Sequence, residues 1–521
     1  MSLCCFRGLY KPKTQGIPWL VLILLLGYAL RVAYLTVDRF HADEALYAGW
    51  ALSITDSDPL LLGVPVDKPP LYLYALACSL QVFGRSEVAA SQLSLAASLL
   101  SIALVYRLGR RLYSASVGIW AALMLALSPF DILFARTAFT DSMLTLWTMA
   151  GLCAISTGHW LATGVFLGLA FATKQHALLT IPLVLLVGLL QHGQDSETKG
   201  RRLRSIAHAA LTIGLGFAVP FLGVTAWDAA RWATRPGYWQ QSAASYGGLV
   251  WVPITDWGAR WLEWMTWARY LVGSPLLAAL TILSVVALLI SGWLHRPQER
   301  HTWYDTLWIA YLLVYLFAHT VLQFSIWDRY LLPLAPLVAL LLARTVALVS
   351  ARRPDLQFAH EQLPRLPLRR LSNRLYLVVP SLFLLLALVS GYRAARNGYP
   401  IGGEHWAYQG LDEIVAYLKE NAPPDAVLYH HWLRWHYSYY LYGTSFELRW
   451  WESGEHMQRE ALRTPERTQY VVLPDWRTLE PEAPELYLEL LYQARRKDQS
   501  VSLSLYRVRP RLSGQLLERV L

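Results

Sequence analysis

Charge is scarce in this chain. Only 16% of its 521 residues are Asp, Glu, Lys or Arg, while 55% are hydrophobic and 23 are Trp. A soluble globular protein carries about 25% charge, so an ordinary soluble fold is excluded. Cysteine is scarce as well, with four in all, and neither a disulfide framework nor a zinc-ligand spacing is present. Cys78 and Cys153 fall in apolar segments, where Cys behaves as a small hydrophobe. Cys4 and Cys5 precede the first apolar run, either as plain thiols or as acylation sites. A Gly-rich phosphate loop is missing, so no nucleotide cofactor is expected. Arg7, Lys11 and Lys13 precede an apolar run in the manner of a signal peptide. The run from Ile17 to Val37 is too long for one and no small-residue cleavage site follows, so it reads as a retained span.

What is abundant is apolar length. Runs of about 20 residues mark a polytopic α-helical membrane protein. The spacing predicts about eleven spans, at 17–37, 87–106, 114–130, 141–157, 160–173, 175–190, 206–226, 273–293, 304–323, 330–350 and 375–391. Residues 69–83 are apolar but number only fifteen, so they are expected to lie along the membrane surface. With that choice the loops on the N-terminal side hold nineteen Lys/Arg against five acids. The opposite loops hold ten against twelve, an asymmetry that puts the N-terminus inside. Most of the +10 net charge is spent on this orientation, so no nucleic-acid partner is expected.

Three outside segments hold the polar chemistry. The first is 38–86, which carries Asp43–Glu44 and Asp67–Lys68–Pro69–Pro70. The second is 131–141, DILFARTAFTD, with Arg136 and Asp141. The third is 324–333, FSIWDRYLLP, with Arg329. Lys174 sits between two spans on the same side. Carboxylates at the lip of a membrane domain are costly to desolvate, which points to function. Carboxylates among several cations suit a reaction on an anionic substrate: the cations hold a phosphate and one carboxylate acts as base. Asp67 with Asp141 also suits a divalent ion held through oxygen. The bland alternative is that each charge merely caps a span at the water interface. Arg31 is the one clear basic residue well inside a span, either snorkelling or touching a lipid phosphate. Residues 227–272 carry eight Trp and three Tyr, and 256–271 form an amphipathic interfacial helix. That helix reads either as an aromatic anchor or as a cover over a lipid site.

Residues 1–391 thus form the membrane domain, with 38–86 as its first extracytoplasmic loop. Residues 392–521 are less hydrophobic and read as a small extracytoplasmic α/β domain. Its expected elements are a helix at Leu411–Glu420, strands at Ala426–Tyr429 and Thr468–Leu473, a helix at Pro481–Ala494, and a strand at Ser500–Val508. His430, His431 and His436 lie near a strand end. Without a carboxylate or Cys partner at ligand spacing they read as ordinary histidines rather than a metal site.

Asp43–Glu44 after the first span, Lys68–Pro69–Pro70–Leu71, FARTAFTDS ending at Asp141–Ser142, and RYLLPLAP at 329–336 together resemble the GT-C glycosyltransferases. The likeness is to family 39/83, the protein O-mannosyltransferases and the lipid A aminoarabinose transferase. It covers about residues 17–350 and extends more loosely into the tail. The resemblance implies inverting sugar transfer from a polyprenyl-phosphate donor to an acceptor hydroxyl on a lipid, glycan or protein. The site would lie on the outer face of the plasma (inner) membrane, among membrane lipids. It implies Asp43 as base in the Asp43–Glu44 pair, and Asp67 and Asp141 at a metal or structural site. Lys68 and Arg329 would contact the donor phosphate, with Arg136 and Lys174 as further phosphate-binding cations. The chain departs in having Asp67 where aminoarabinose transferases have Glu. Lys68 replaces the His common in protein mannosyltransferases, and Ser91–Gln92 stand where relatives often carry Arg. The rival readings are a transporter or lipid flippase, which wants ionisable groups at mid-span, and a binding or scaffold protein that uses the tail.

Overall fold

The computed structural model describes residues 16–36, 38–192, 199–247, 250–294, 300–350, 368–477, 479, 482–496 and 498–511. A helix stands at each of the eleven positions expected to span. Five are long and apolar enough to cross a membrane: Glu87–Leu112, Leu203–Ala229, Arg300–Val321, Asp328–Ser350 and Val378–Ala395. A sixth is added if Ile254–Leu271 and Pro275–Ile290 count as one broken span, bent by 97°. The others are shorter apolar helices, so a count of eleven crossings does not follow from length. The chain is an integral membrane protein of the helical kind.

In chain order the first helices are α1 (Ile17–Val32), α2 (Ala42–Asp56), α3 (Pro70–Phe83), α4 (Glu87–Leu112), α5 (Ala115–Ala126) and α6 (Pro129–Phe134). The α3 helix has fourteen residues; at about 1.5 Å per residue it falls short of a bilayer core of about 30 Å. It buries Tyr72, Leu73, Leu76 and Leu80 and packs against α2 and α4. Ser86 caps α4 by accepting a hydrogen bond from the Ala89 amide, and Arg110 and Arg111 sit in its last turn, where cations complement the helix dipole.

Next come α7 (Asp141–Ile155), α8 (Trp160–Thr173), α9 (Ala177–His192), α10 (Lys199–Ala229), α11 (Tyr238–Tyr246) and α12 (Trp257–Ala268). The membrane domain closes with α13 (Pro275–Leu294), α14 (Arg300–Val321), α15 (Ala335–Ser350) and α16 (Leu368–Ala395). In an apolar solvent helices associate by close packing, so small residues mark the crossings. The α8 and α10 backbones meet at Gly164 and Gly216. A Cβ on Gly164 would run into the Ile213 carbonyl, and one on Gly216 into the Leu161 carbonyl.

Arg31 neither snorkels nor reaches lipid. It is fully buried and donates to Asp131 Oδ2 at 2.5 Å, to Ser98 Oγ at 2.6 Å and to the carbonyls of Gly27 and Ala126. The carboxylate partner lies 100 residues away on α6, beyond the reach of periodicity arguments, so α1, α4 and α6 are tied by one guanidinium. A second pair, partly buried Arg344 with buried Asp305 at 3.2 Å, joins α15 to α14, and the Tyr113 hydroxyl donates to the same carboxylate at 2.7 Å.

The tail is a three-layer α/β unit. It comprises α17 (Leu411–Asn421), β1 (Val427–His430), α18 (Arg434–Tyr440), β2 (Glu447–Trp450), α19 (Gly454–Arg463), β3 (Gln469–Pro474), β4 (Leu486–Arg495) and β5 (Val501–Pro510). The sheet order is β2-β1-β3-β5-β4, with β1 parallel to β2 and β3, and the β3–β5 and β5–β4 pairs antiparallel. Strand alternation splits the core. Leu428, Tyr470 and Val472 pack with Ile414 and Leu418 of α17, whereas Val427, Tyr429 and Val471 pack with Met457 and Ala461 of α19. The helix expected at Pro481–Ala494 is a correction: Leu486–Arg495 is an edge strand. Its Leu, Glu and Gln favour a helix, but pairing with β5 and the cross-strand Glu489–Arg509 ion pair at 2.7 Å override that weak preference. The β2 strand and helices α18 and α19 lie outside the expected elements.

The tail is docked on the first loop. Asp38 accepts from Asn397 Nδ2 at 2.6 Å and lies 2.7 Å from His405 Nδ1. Arg39 bridges Glu87 at 2.5 Å and Asp412 at 3.0 Å, and the Tyr440 hydroxyl also bonds Glu87. His436 Nε2 bonds the Phe40 carbonyl at 2.9 Å.

Two stability measurements check this packing. Gly216→Ala should cost about 1–3 kcal/mol, seen as a lowered Tm in detergent. Gly214→Ala, where a Cβ meets nothing within 4 Å, should not lower it. Asp131→Leu strands the Arg31 charge and should cost about 3–5 kcal/mol, while the double variant Arg31→Met/Asp131→Leu should regain most of that loss.

Candidate active site

The site begins with a helix cap. His41 Nδ1 accepts from the Asp43 amide at 3.1 Å, and Glu44 Oε2 accepts from the His41 amide at 2.8 Å, a reciprocal capping box. Glu44 Oε1 accepts a second bond from the Ala138 amide at 2.5 Å. Both Glu44 oxygens are thereby engaged, and the side chain fastens α2 to the 135–140 loop. Burial pushes its carboxyl up to about 8, against the two amide bonds that favour the charged form.

With Glu44 turned inward, Asp43 faces the neighbouring cations. Its Oδ2 lies 2.6 Å from Arg329 Nη2. Burial pushes the Asp43 carboxyl up, but Arg329, His41 and Lys68 outweigh it and hold the group below its ordinary value. The Arg329 guanidinium packs over Phe139 at 4.7 Å and Trp327 at 4.9 Å, contacts that suit a planar cation. Asp328 fixes the approach: its carboxylate accepts from the Arg329 amide at 2.8 Å and from the Gly402 amide at 3.0 Å. Gly402 has φ 84°, a left-handed conformation costly for other residues, and a Cβ there would strike Leu133.

Two lysines complete the set. Lys68 is buried, 3.1 Å from Asp67 and 4.0 Å from the centre of the Tyr246 ring. Burial holds its ammonium below the usual value, opposed by Asp67 and Asp43. Lys174, at the end of α8, lies 2.6 Å from Asp141 and 4.4 Å from the Tyr330 ring. Burial pushes it down to about 8 against the pull of Asp141, with Arg329 and Lys68 as further positive neighbours. Lys68, Lys174 and Arg329, all buried, therefore act on one another electrostatically although they come from three separate loops.

The structure brings together Asp43, Asp67, Lys68, Asp141, Lys174 and Arg329. Arg136 is not in this group. It donates to the carbonyls of Leu30, Arg31 and Ala395 and to Asn397 Oδ1, all within 2.6–2.9 Å. It therefore clamps the ends of α1 and α16 rather than offering free donors to a phosphate. The residues missed in the sequence are His41, Phe139, Trp327, Tyr246 and Tyr330, which cap the helix or wall the cations. Tyr330 and Trp327 adjoin the RYLLP run, and that adjacency is the signal that was available.

Asp67 and Asp141 each face a lysine in the structure. Among the described residues no three His, Cys, Asp or Glu side chains converge as a ligand set. Asp67 Oδ1 is buried without a partner, while Asp141 Oδ1 is taken by Lys174 at 2.6 Å. The histidines of the tail likewise form no such set.

A family model described as dolichyl-phosphate-mannose-protein mannosyltransferase matches residues 67–224, a stretch that includes Asp67, Lys68, Asp141 and Lys174. No curated protein matches the sequence. Among solved structures, ArnT from Cupriavidus metallidurans in the apo state aligns with a TM-score of 0.61 at 14% identity, covering 95% of this chain and 97% of that one. The same protein bound to undecaprenyl phosphate gives 0.59 at 15% identity, covering 95% and 98%. The archaeal oligosaccharyltransferase AglB from Archaeoglobus fulgidus, in complex with an inhibitory peptide and a dolichol-phosphate, gives 0.58 at 11% identity, covering 94% and 74%. The chain is therefore a helical membrane protein with the fold of the GT-C glycosyltransferases, and it resembles ArnT and the protein mannosyltransferases.

Proposed function

We propose that the protein is an inverting glycosyltransferase that moves a sugar from a polyprenyl-phosphate donor to an acceptor hydroxyl. The reaction takes place on the outer face of the plasma membrane, with the tail domain on that side. The observation that carries this reading is the contact between Asp43 and Arg329. It sets a carboxylate base against a cation suited to a leaving phosphate, at the lip of a membrane domain.

The chemistry follows from charge. Asp43 takes the proton of the acceptor hydroxyl, whose oxygen attacks the anomeric carbon from the face opposite the phosphate. The bond between that carbon and the phosphate oxygen breaks, its electron pair stays on the polyprenyl phosphate, and the anomeric configuration inverts. Lys68, Lys174 and Arg329 receive the charge that develops there. Before donor binds, Arg329 neutralises Asp43. A phosphate competes for the same guanidinium, and once Arg329 turns to it the carboxylate is left more basic. Donor entry thus primes the base. The wild-type donor set needs no nucleotide, and no step passes through a metal.

Asp43→Asn should lower transfer by about 10²–10⁴-fold while the protein inserts and melts as wild type. The assay is consumption of labelled polyprenyl-phosphate sugars, and chelator should leave the wild-type rate unchanged. Normal transfer by the Asn variant would remove Asp43 as base. Arg329→Gln should cut kcat/KM for the donor about a hundredfold or more. It should also move the acid limb of the pH profile. In the wild type the depressed Asp43 pKa keeps the base ionised well into acid. Without Arg329, burial raises that pKa and activity declines at a higher pH than in the wild type.

A further inference from the structure

The tail carries a second constellation that the transfer chemistry does not use. Strand β1 is flanked by parallel β2 and β3. The chain leaves β1 toward β2, and leaves β3 toward the β4–β5 side. At such a reversal, open α/β sheets take their ligands beside the carboxyl ends of the strands. The loops at this edge are rich in aromatic residues: His431 and Trp432 after β1, Trp450 and Trp451 at the end of β2, and Trp476 after β3.

These rings form one cluster. Trp432 lies 5.0 Å from Trp476 and 5.7 Å from Trp451, and Trp450 lies 5.6 Å from His456, centroid to centroid. Trp451 belongs to the core, but Trp450 and Trp476 remain 48% and 67% exposed. Exposed apolar faces gathered at one place mark a binding surface. Polar groups edge them: Glu452 is exposed, and Arg477 packs over Trp451 at 5.9 Å with its Nε buried and unpartnered. His430, at the end of β1, is buried and its Nδ1 also lacks a partner.

We infer that the carboxyl edge of the tail sheet, built on Trp432, Trp450 and Trp476, is a binding site for a saccharide. A pyranose ring presents a flat apolar C–H face, which stacks on an aromatic plane, and a rim of hydroxyls for carboxylate and guanidinium partners. An anionic membrane surface is the less suitable occupant, because Glu452 is exposed at this edge and two of its arginines are already paired, Arg477 with Glu482 at 2.7 Å and Arg496 with Asp475 at 2.8 Å. Position gives the site a use, on the transferase reading above. The His431–Trp432 loop runs directly into α18, whose Tyr439 ring lies 5.0 Å from Phe40 and whose His436 holds the Phe40 carbonyl. Three residues on from Phe40 stands Asp43. A glycan held at this edge is therefore referenced, through one short helix, to the base, which makes it an acceptor subsite.

The test uses full-length protein in nanodiscs without donor, and maltohexaose, cellohexaose, mannohexaose and chitohexaose as probes, with binding read by saturation-transfer NMR. At least one probe should bind. Trp476→Ala and Trp450→Ala should each weaken it about tenfold, and Trp476→Phe should retain it. Asp43→Asn should bind as tightly as wild type, so loss of transfer with binding intact bears only on the transferase reading. Failure of all four probes to bind, or binding unchanged in the tryptophan variants, overturns the proposal. So does bromolipid quenching that is lost in Trp476→Phe, which would make the patch a membrane anchor.

Discussion

One ion pair carries much of the architecture. Asp43 and Arg329 stand 286 residues apart in sequence and 2.6 Å apart in space. Their contact exists only because α2 is capped tightly enough to aim Asp43, and because Asp328 and two aromatic rings hold the guanidinium in place. The first loop, the 135–140 loop, the turn before α15 and the 402 loop are all positioned around it. An unpaired charge at this depth would cost several kcal/mol, so none of these segments is free to settle independently.

The same rule governs the other charges of the membrane domain. Arg31 has Asp131, Arg344 has Asp305, Lys68 has Asp67 and Lys174 has Asp141. What separates the Arg31–Asp131 pair from the Asp43–Arg329 pair is access and spare capacity. The Arg31 pair is sealed and surrounded by further hydrogen bonds. The Asp43 carboxylate keeps some exposure, its side chain 23% open. A pair that water can reach is one whose partners can be exchanged.

Much of this was legible in the sequence, for physical reasons. Apolar length located the helices, and the scarcity of charge in between made Asp43, Asp67, Asp141, Lys68, Lys174 and Arg329 conspicuous. Side-chain commitment was not legible. Arg136 looked like one more cation at the mouth, yet its donors are spent on carbonyls of α1 and α16. Glu44 looked like half of a catalytic pair, but the capping box over His41–Glu44 turns it inward. Arg31 lacked a visible partner because Asp131 lies in another loop. In the tail, Leu486–Arg495 has the composition of a helix and becomes a strand only because β5 lies beside it. Pairing across space is information that a linear pattern does not contain.

The fastening of the tail to residues 38–40 has a consequence for biosynthesis. Asp38, Arg39 and Phe40 lie immediately upstream of α2, and their partners are Asn397, His405, Asp412, His436 and Tyr440. Those partners leave the ribosome hundreds of residues later. The Asp43 end of α2, although encoded near the beginning of the chain, is therefore fastened only after the tail has been synthesised and folded.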